Sequence, residues 1–339
     1  MKAKGKSIIQ TLVLTALGVV FVWFAYGQIE KNKTEIMAAF SNADYFWVFI
    51  CALIAFFSHV VRAFRWKYLL EPLGYKTSFF NAFAAVFIGY FGNYAPVIRL
   101  GEVYRATIVD RYEKIPFQTG FGTIITERLV DTLLLFVIFG LTLLFQFSEL
   151  IGLSNKYIFD PMSEKYGNMS TTKIIILSFI VISCIVALFV FRKKIAGKLQ
   201  GKFGDFIKGF LDGLLSIRKM KNFWAFAFFS VLIWTMYFYS TYFCLKALPE
   251  TKIIGHKECL TIMLFGTLGV VFSPGGLGAY HLIVAGILTY YGINNAPSVA
   301  LPWLVWTASF VMISFFGLLS IILLPIVNKN RNAVQQQAD

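Results

Sequence analysis

Six stretches of roughly twenty apolar residues punctuate this chain, and a helix of that length is what crosses about 30 Å of hydrocarbon. They lie at about residues 8–26, 45–64, 128–147, 172–191, 223–245 and 301–327. No soluble interior hides so much: 58% of the 339 residues are hydrophobic and only 14% are charged, against roughly 25% charged in soluble domains. The fold class expected is therefore all-α, a polytopic helical membrane protein. One integral membrane domain covers residues 1–328, and residues 329–339 form a polar cytoplasmic tail. The first stretch follows Lys2, Lys4 and Lys6 but ends in aromatics rather than small residues, so it reads as an uncleaved span and not a signal peptide.

The net charge of +14 does not indicate nucleic acid, because Lys and Arg concentrate between the apolar stretches, where cytoplasmic loops carry them. Cys51, Cys184, Cys244 and Cys259 are scattered, with no CxxC pair and no metal-ligand spacing. They read as structural thiols, and neither a metal nor a cofactor is expected.

Two further apolar regions are broken. Residues 79–95 run into Asn93-Tyr94-Ala95-Pro96 and then a charged stretch to Lys114; residues 258–292 are interrupted by Ser273-Pro274-Gly275-Gly276-Leu277-Gly278. Loop charge decides how they cross. The basic N-terminus, the Arg62–Lys76 region, the basic loop from Arg192 to Lys221 and the tail with Lys329 and Arg331 all belong inside. Each broken region must then make an even number of crossings. Both read as re-entrant hairpins entering from opposite faces, although a full pair of spans remains open for 258–292. Span, hairpin, span over 45–147 is followed by the same order, inverted, over 223–327. Inverted repeats with broken helices at the midplane recur among transporters.

The chemistry-bearing residues gather at these breaks. In the first, Pro96 ends a helix, and Arg99, Glu102 and Arg105 recur every three residues after Asn93. Two guanidiniums around one carboxylate leave a net positive face suited to phosphate; the plainer reading is a loop with an ordinary ion pair. Glu127, Arg128 and Asp131, at the start of the 128–147 span, lie on neighbouring helix faces. They read either as interfacial anchors or as partners that hold Arg99 or Arg105. In the second break, Gly275, Gly276 and Gly278 after Pro274 permit tight turns, and the helix starting near Gly278 offers free N–H groups to an anion. His281 falls in that helix's first turn, as a packed or capping residue or as a headgroup contact. The loop is not a Walker A motif, since no Gly-Lys-Ser/Thr follows. His59, Arg62 and Arg65, also three apart, read as anchors or headgroup contacts at the inner end of the second span.

Together and in this order, the Asn93–Arg105 block, Glu127-Arg128-x-x-Asp131 and Pro274-Gly275-Gly276-Leu277-Gly278 resemble the flippase-like transmembrane region of lysylphosphatidylglycerol synthases and their stand-alone relatives. Family members often carry Glu shortly after the last motif, where this chain has His281. The resemblance implies movement of lipids between leaflets. The soluble synthase domain is absent, so lysyl-phosphatidylglycerol synthesis by this chain alone is not expected. The substrate expected is a membrane phospholipid or a polyprenyl-phosphate lipid, bound through Arg99, Glu102, Arg105, Gly275, Gly276, Gly278 and His281, with Asn93, Glu127, Arg128 and Asp131 in support. The alternatives are an intramembrane lipid-metabolising enzyme using Glu102, Glu127, Asp131 or His281, and a non-catalytic scaffold. The location expected is a bacterial cytoplasmic membrane with both termini inside; a homo-oligomer is compatible with all of this.

Overall fold

A computed structural model describes residues 30, 33–94, 100–159 and 215–338. The spans expected at 8–26 and 172–191, most of the basic loop, Cys184, Pro96 and Arg99 lie outside them. The described residues contain helices and turns and no strand, so the chain is an all-helical polytopic membrane protein. It divides into two compact units, residues 1–142 with 209–339, and residues 143–208. Of the second, the described part is the end of one long helix, whose backbone breaks at Gln146 (φ −140°), and a π-helical turn over Asn155–Phe159.

In chain order the α-helices are α1 (Lys33–Ser41), α2 (Tyr45–Leu70), α3 (Phe79–Asn93), α4 (Gly101–Glu113), α5 (Phe117–Ser154), α6 (Phe223–Cys244), α7 (His256–Phe272), α8 (Ala279–Tyr290) and α9 (Asn295–Ala338). Four of them, α2, α5, α6 and α9, are long and apolar enough to span a membrane. Their outer faces carry large apolar side chains in the open, such as Phe136 (66% exposed) and Trp224 (83% exposed). That is the reverse of a soluble surface and what hydrocarbon solvent permits.

Helix boundaries follow local chemistry. Asp44 starts α2, its Oδ1 accepting the Phe46 N–H at 3.1 Å, and Pro72 with left-handed Gly74 (φ 87°) closes it. Ser78 starts α3, its hydroxyl accepting the Asn81 N–H at 3.1 Å. Three spans reach past their hydropathy limits. α2 continues through the arginines to Leu70, α5 begins at Phe117 and not near 128, and α9 stays helical to Ala338, through Pro302 and Pro325 and through the stretch expected to be a separate tail. For α2 and α5 the reason is that the charges interrupting each apolar run neutralise one another across the helix interface.

The order long helix, two short helices, long helix occurs twice, as α2–α5 and as α6–α9. α2 and α6 pack antiparallel: the Asp44 N–H donates to the Ala247 carbonyl at 2.8 Å, and Ser240 Oγ donates to the Cys51 carbonyl at 3.0 Å. The pair α3/α4 enters at the Leu70 end of α2, where the Ser78 N–H and Asn81 Nδ2 both donate to Glu113 Oε1 (2.9 and 2.6 Å). Asn81 and Asn328 of α9 exchange two amide hydrogen bonds there, at 2.9 and 2.8 Å. The pair α7/α8 enters at the opposite end, beside Asp44 and Ala247. The tips of the two pairs meet inside. A Cβ added to Gly275 would fall 2.6 Å from Tyr94 Cδ1, and the Trp306 indole N–H donates to the Gly275 carbonyl at 2.8 Å while its ring edges Tyr94.

Candidate functional site

The spacing of three along α2 puts His59, Arg62 and Arg65 on one broad face, and the spacing of four along α5 does the same for Glu127 and Asp131. Those faces meet. Arg62 Nη1 donates to Asp131 Oδ2 at 2.7 Å and lies 3.5 Å from Glu127 Oε1; Arg65 reaches Asp131 Oδ1 and Glu127 Oε1, each at 2.8 Å. Arg105 from α4 completes the group, its Nη2 donating to Glu127 Oε2 at 2.7 Å and its guanidinium stacked 4.4 Å from the Trp66 ring. Arg62, Arg65, Arg105 and Glu127 are each 1% exposed or less. α6 contributes acceptors: Tyr237 Oη takes a bond from Arg62 at 2.9 Å, and Ser230 Oγ takes one from Arg65 at 3.1 Å.

Arg62 and Arg65 precede the end of α2 by eight and five residues, and Glu127 follows the start of α5 by ten. At 1.5 Å per residue these are distances of about 12, 8 and 15 Å along the helices from their ends. Buried inside the protein and paired with one another, these side chains do not reach outward as interfacial anchors. Glycine makes room for this. A Cβ at Gly89 would lie 2.6 Å from Arg105 Cγ, and one at Gly101 would run into the Gly89 carbonyl. Asn93, expected to support ion pairs, instead caps the next helix, its Oδ1 accepting the Gly101 N–H at 2.9 Å.

Tyr90 of α3 closes the cluster on the tip side. Its hydroxyl accepts from Arg128 Nη2 at 3.1 Å, its ring lies 5.5 Å from both Arg62 and Arg128, and His59 stacks on it at 4.4 Å. Arg128, half-buried, faces Glu102 at 3.5 Å. Three buried guanidiniums against two buried carboxylates leave one net positive charge, and the Arg128–Glu102 pair leaves that count unchanged. Arginine cannot shed its proton to relieve the excess. Nε of Arg62, Arg65 and Arg105, and Nη1 of Arg105, are buried without a hydrogen-bond partner. Buried donors without acceptors are rare in folded proteins, and charged ones are the strongest donors a site can hold.

At the second tip, Gly275 (φ 58°) and Gly278 (φ 81°) hold left-handed conformations that side chains resist. The Gly278 N–H, which the sequence left free for an anion, donates to His281 Nδ1 at 3.3 Å. His281 thus caps its own helix and packs against Trp303 at a centroid distance of 3.9 Å. The structure brings together Glu102, Arg105, Glu127, Arg128 and Asp131 in one place, and Gly275, Gly278 and His281 in another. Tyr90 near the end of α3 and Tyr94, the residue that ends it, connect the two.

Comparison with known proteins agrees on the class of molecule. The chain is 22% identical to a UPF0104 membrane protein of Methanothermobacter thermautotrophicus over 95% of this chain and 96% of that one. It is 29% identical over 127 residues to a UPF0104 membrane protein of Methanocaldococcus jannaschii, a match covering 37% of each protein. It is 28% identical over 137 residues to glycosyltransferase AglD of Haloferax volcanii, covering 40% of this chain and only 21% of that enzyme. The matched segment thus spans about a third and about a fifth of these last two relatives. No solved structure matches. The family model for the lysylphosphatidylglycerol synthase TM region matches residues 8–323, and the chain belongs to that family.

Proposed function

We propose that this protein moves a phosphate-bearing lipid between membrane leaflets, holding the headgroup anion at the arginine cluster while the hydrocarbon chains stay in the bilayer. The observation that carries the reading is the uncompensated positive charge buried among the described helices, with four guanidinium nitrogens of Arg62, Arg65 and Arg105 left without acceptors. Such charge is expensive in a membrane and is retained where a pathway needs it. One net charge suits a phosphodiester, whose single negative charge it balances. Arg105 and Arg62 are the primary contacts, with Glu102 beside them; Arg99, outside the described residues, joins them on the sequence alone. Glu127 and Asp131 hold the guanidiniums in place, and Arg128 does so through Tyr90.

Two broken helix pairs entering from opposite ends and meeting at Tyr94 and Gly275 support alternating access, in which the halves 45–147 and 223–327 rock about the site as inverted repeats. The orientation proposed with this has both termini in the cytoplasm, a reading that loop charge supports. The test is reconstitution into proteoliposomes with fluorescent phospholipids and polyprenyl phosphates. Transbilayer movement that Arg105→Gln reduces at least tenfold supports the reading. No movement of any candidate, with or without ion gradients, overturns it.

A further inference from the structure

Where α8 begins, two hydrogen-bond donors are buried without acceptors. Because Gly278 donates its N–H to His281 Nδ1, that nitrogen carries the lone pair, and a neutral imidazole must then hold its hydrogen on Nε2. Nε2 has no partner, although His281 is 3% exposed. The imidazole packs against the Trp303 ring at a centroid distance of 3.9 Å, tilted by 42°, and Trp303 Nε1–H, also buried, has no acceptor either. The neighbouring Trp306 indole shows what a satisfied donor looks like here: it finds the Gly275 carbonyl at 2.8 Å. Two adjacent N–H groups therefore lack what a third has, an oxygen.

The surroundings select the kind of oxygen. Tyr94, Gly275, Trp303, Trp306 and Phe310 are uncharged, so an anion drawn in among them would be buried without a cation. A neutral acceptor meets no such penalty. We propose that His281 Nε2–H and Trp303 Nε1–H together bind an uncharged oxygen of the lipid, a headgroup hydroxyl or an acyl ester carbonyl, and so set which lipid the protein prefers. This rests on the cluster being the phosphate site. Tyr94, the residue that ends α3, lies four positions beyond Tyr90, about 6 Å at 1.5 Å per residue, so a headgroup whose phosphate sits beside Tyr90 extends its neutral part toward Tyr94 and His281. The donors then read the portion of the lipid that the guanidiniums ignore.

Three lipids of equal charge separate the sources: phosphatidylglycerol, phosphatidylmethanol, which lacks the headgroup hydroxyls, and ether-linked phosphatidylglycerol, which lacks the ester carbonyls. Binding to the full chain in detergent micelles is measured by native mass spectrometry, so no transport is required. The wild type should hold phosphatidylglycerol roughly five- to tenfold more tightly than one of the two analogues, the value of about one neutral hydrogen bond. Weakening with phosphatidylmethanol assigns the hydroxyl; weakening with the ether lipid assigns the carbonyl. His281→Phe and Trp303→Phe should each bring that ratio toward one. Trp303→Phe leaves the helix cap intact, so it remains informative if the His281 variant does not fold. Equal binding of all three lipids by the wild type, or a ratio that persists in Trp303→Phe, overturns the proposal. If the ratio behaves as expected but proteoliposomes show no lipid movement, the translocator reading falls and this site stands. Movement without a ratio has the opposite meaning.

Discussion

Replacing Glu127 with Gln removes the carboxylate that Arg62, Arg65 and Arg105 share. Its Oε1 accepts from Arg65 at 2.8 Å with Arg62 at 3.5 Å, and its Oε2 accepts from Arg105 at 2.7 Å. Gln keeps one acceptor oxygen and turns an NH2 toward a guanidinium, and the buried net charge rises from one to two. Removing one partner of a buried ion pair costs about 3–5 kcal/mol, because the remaining charge is stranded. Arg105→Gln should cost less, roughly 1–3 kcal/mol, since Glu127 keeps Arg65 as a partner while a charged hydrogen bond and the Trp66 contact are lost. The double variant restores the charge count, so its destabilisation should fall short of the sum of the singles by about 2 kcal/mol. The assay is reversible unfolding in mixed dodecyl maltoside and SDS micelles, followed by far-UV circular dichroism. Polar contacts between membrane helices average only about 0.6 kcal/mol of coupling, so the expected value stands clear of that background. Additivity within about 0.5 kcal/mol would mean that the charge balance is not what holds α4 to α5, and the reasoning would be refuted.

Other expectations follow from the packing. Gly101→Ala should abolish the folded state, because its Cβ collides with the Gly89 carbonyl, whereas Gly140→Ala, with open space at that position, should gain about 0.5–1 kcal/mol; comparing detergent-extracted monodisperse yields and melting points distinguishes the two. Asn93→Ala should lose about 1 kcal/mol through the uncapped Gly101 N–H, and a melting point equal to the wild type would contradict that cap. Cysteines replacing Lys76 and Lys252, both exposed, should react with a membrane-impermeant maleimide from opposite faces, Lys76 from the cytoplasm. Labelling of both from one face would break the inverted arrangement.

Much of the architecture was readable in the residues, and the unreadable part has a physical cause. Apolar length marks out α2, α5, α6 and α9, and loop charge requires an even number of crossings both from residues 79–95 with the charged stretch to Lys114 and from 258–292, which leaves a full pair of spans open for the second. The link from Arg105 to the Glu127 group was also within reach, because a buried arginine needs a carboxylate. Arg62 and Arg65 were not. In sequence they precede Lys67 at the edge of an apolar run and look like interfacial anchors. Their burial depends on Glu127 and Asp131, more than sixty positions away, and no local signal announces such a partner. The same blindness shortened α5, whose charged residues seem to end a span when read alone. Where Gly275 touches Tyr94 is a matter of packing between the halves of the chain and leaves no trace in either motif.

The paired amides of Asn81 and Asn328 have a consequence for how the protein is made. They exchange hydrogen bonds across 247 positions, so while the chain is being synthesised the base of the first hairpin is held by Glu113 alone, which accepts from the Ser78 N–H and from Asn81 Nδ2. The Asn81 carbonyl oxygen meets the Asn328 amide only after α9 has been made, and a contact of such high sequence separation forms late. A chain stopped before Asn328 should therefore seat that hairpin more loosely, and open it to proteases sooner, than one that includes α9.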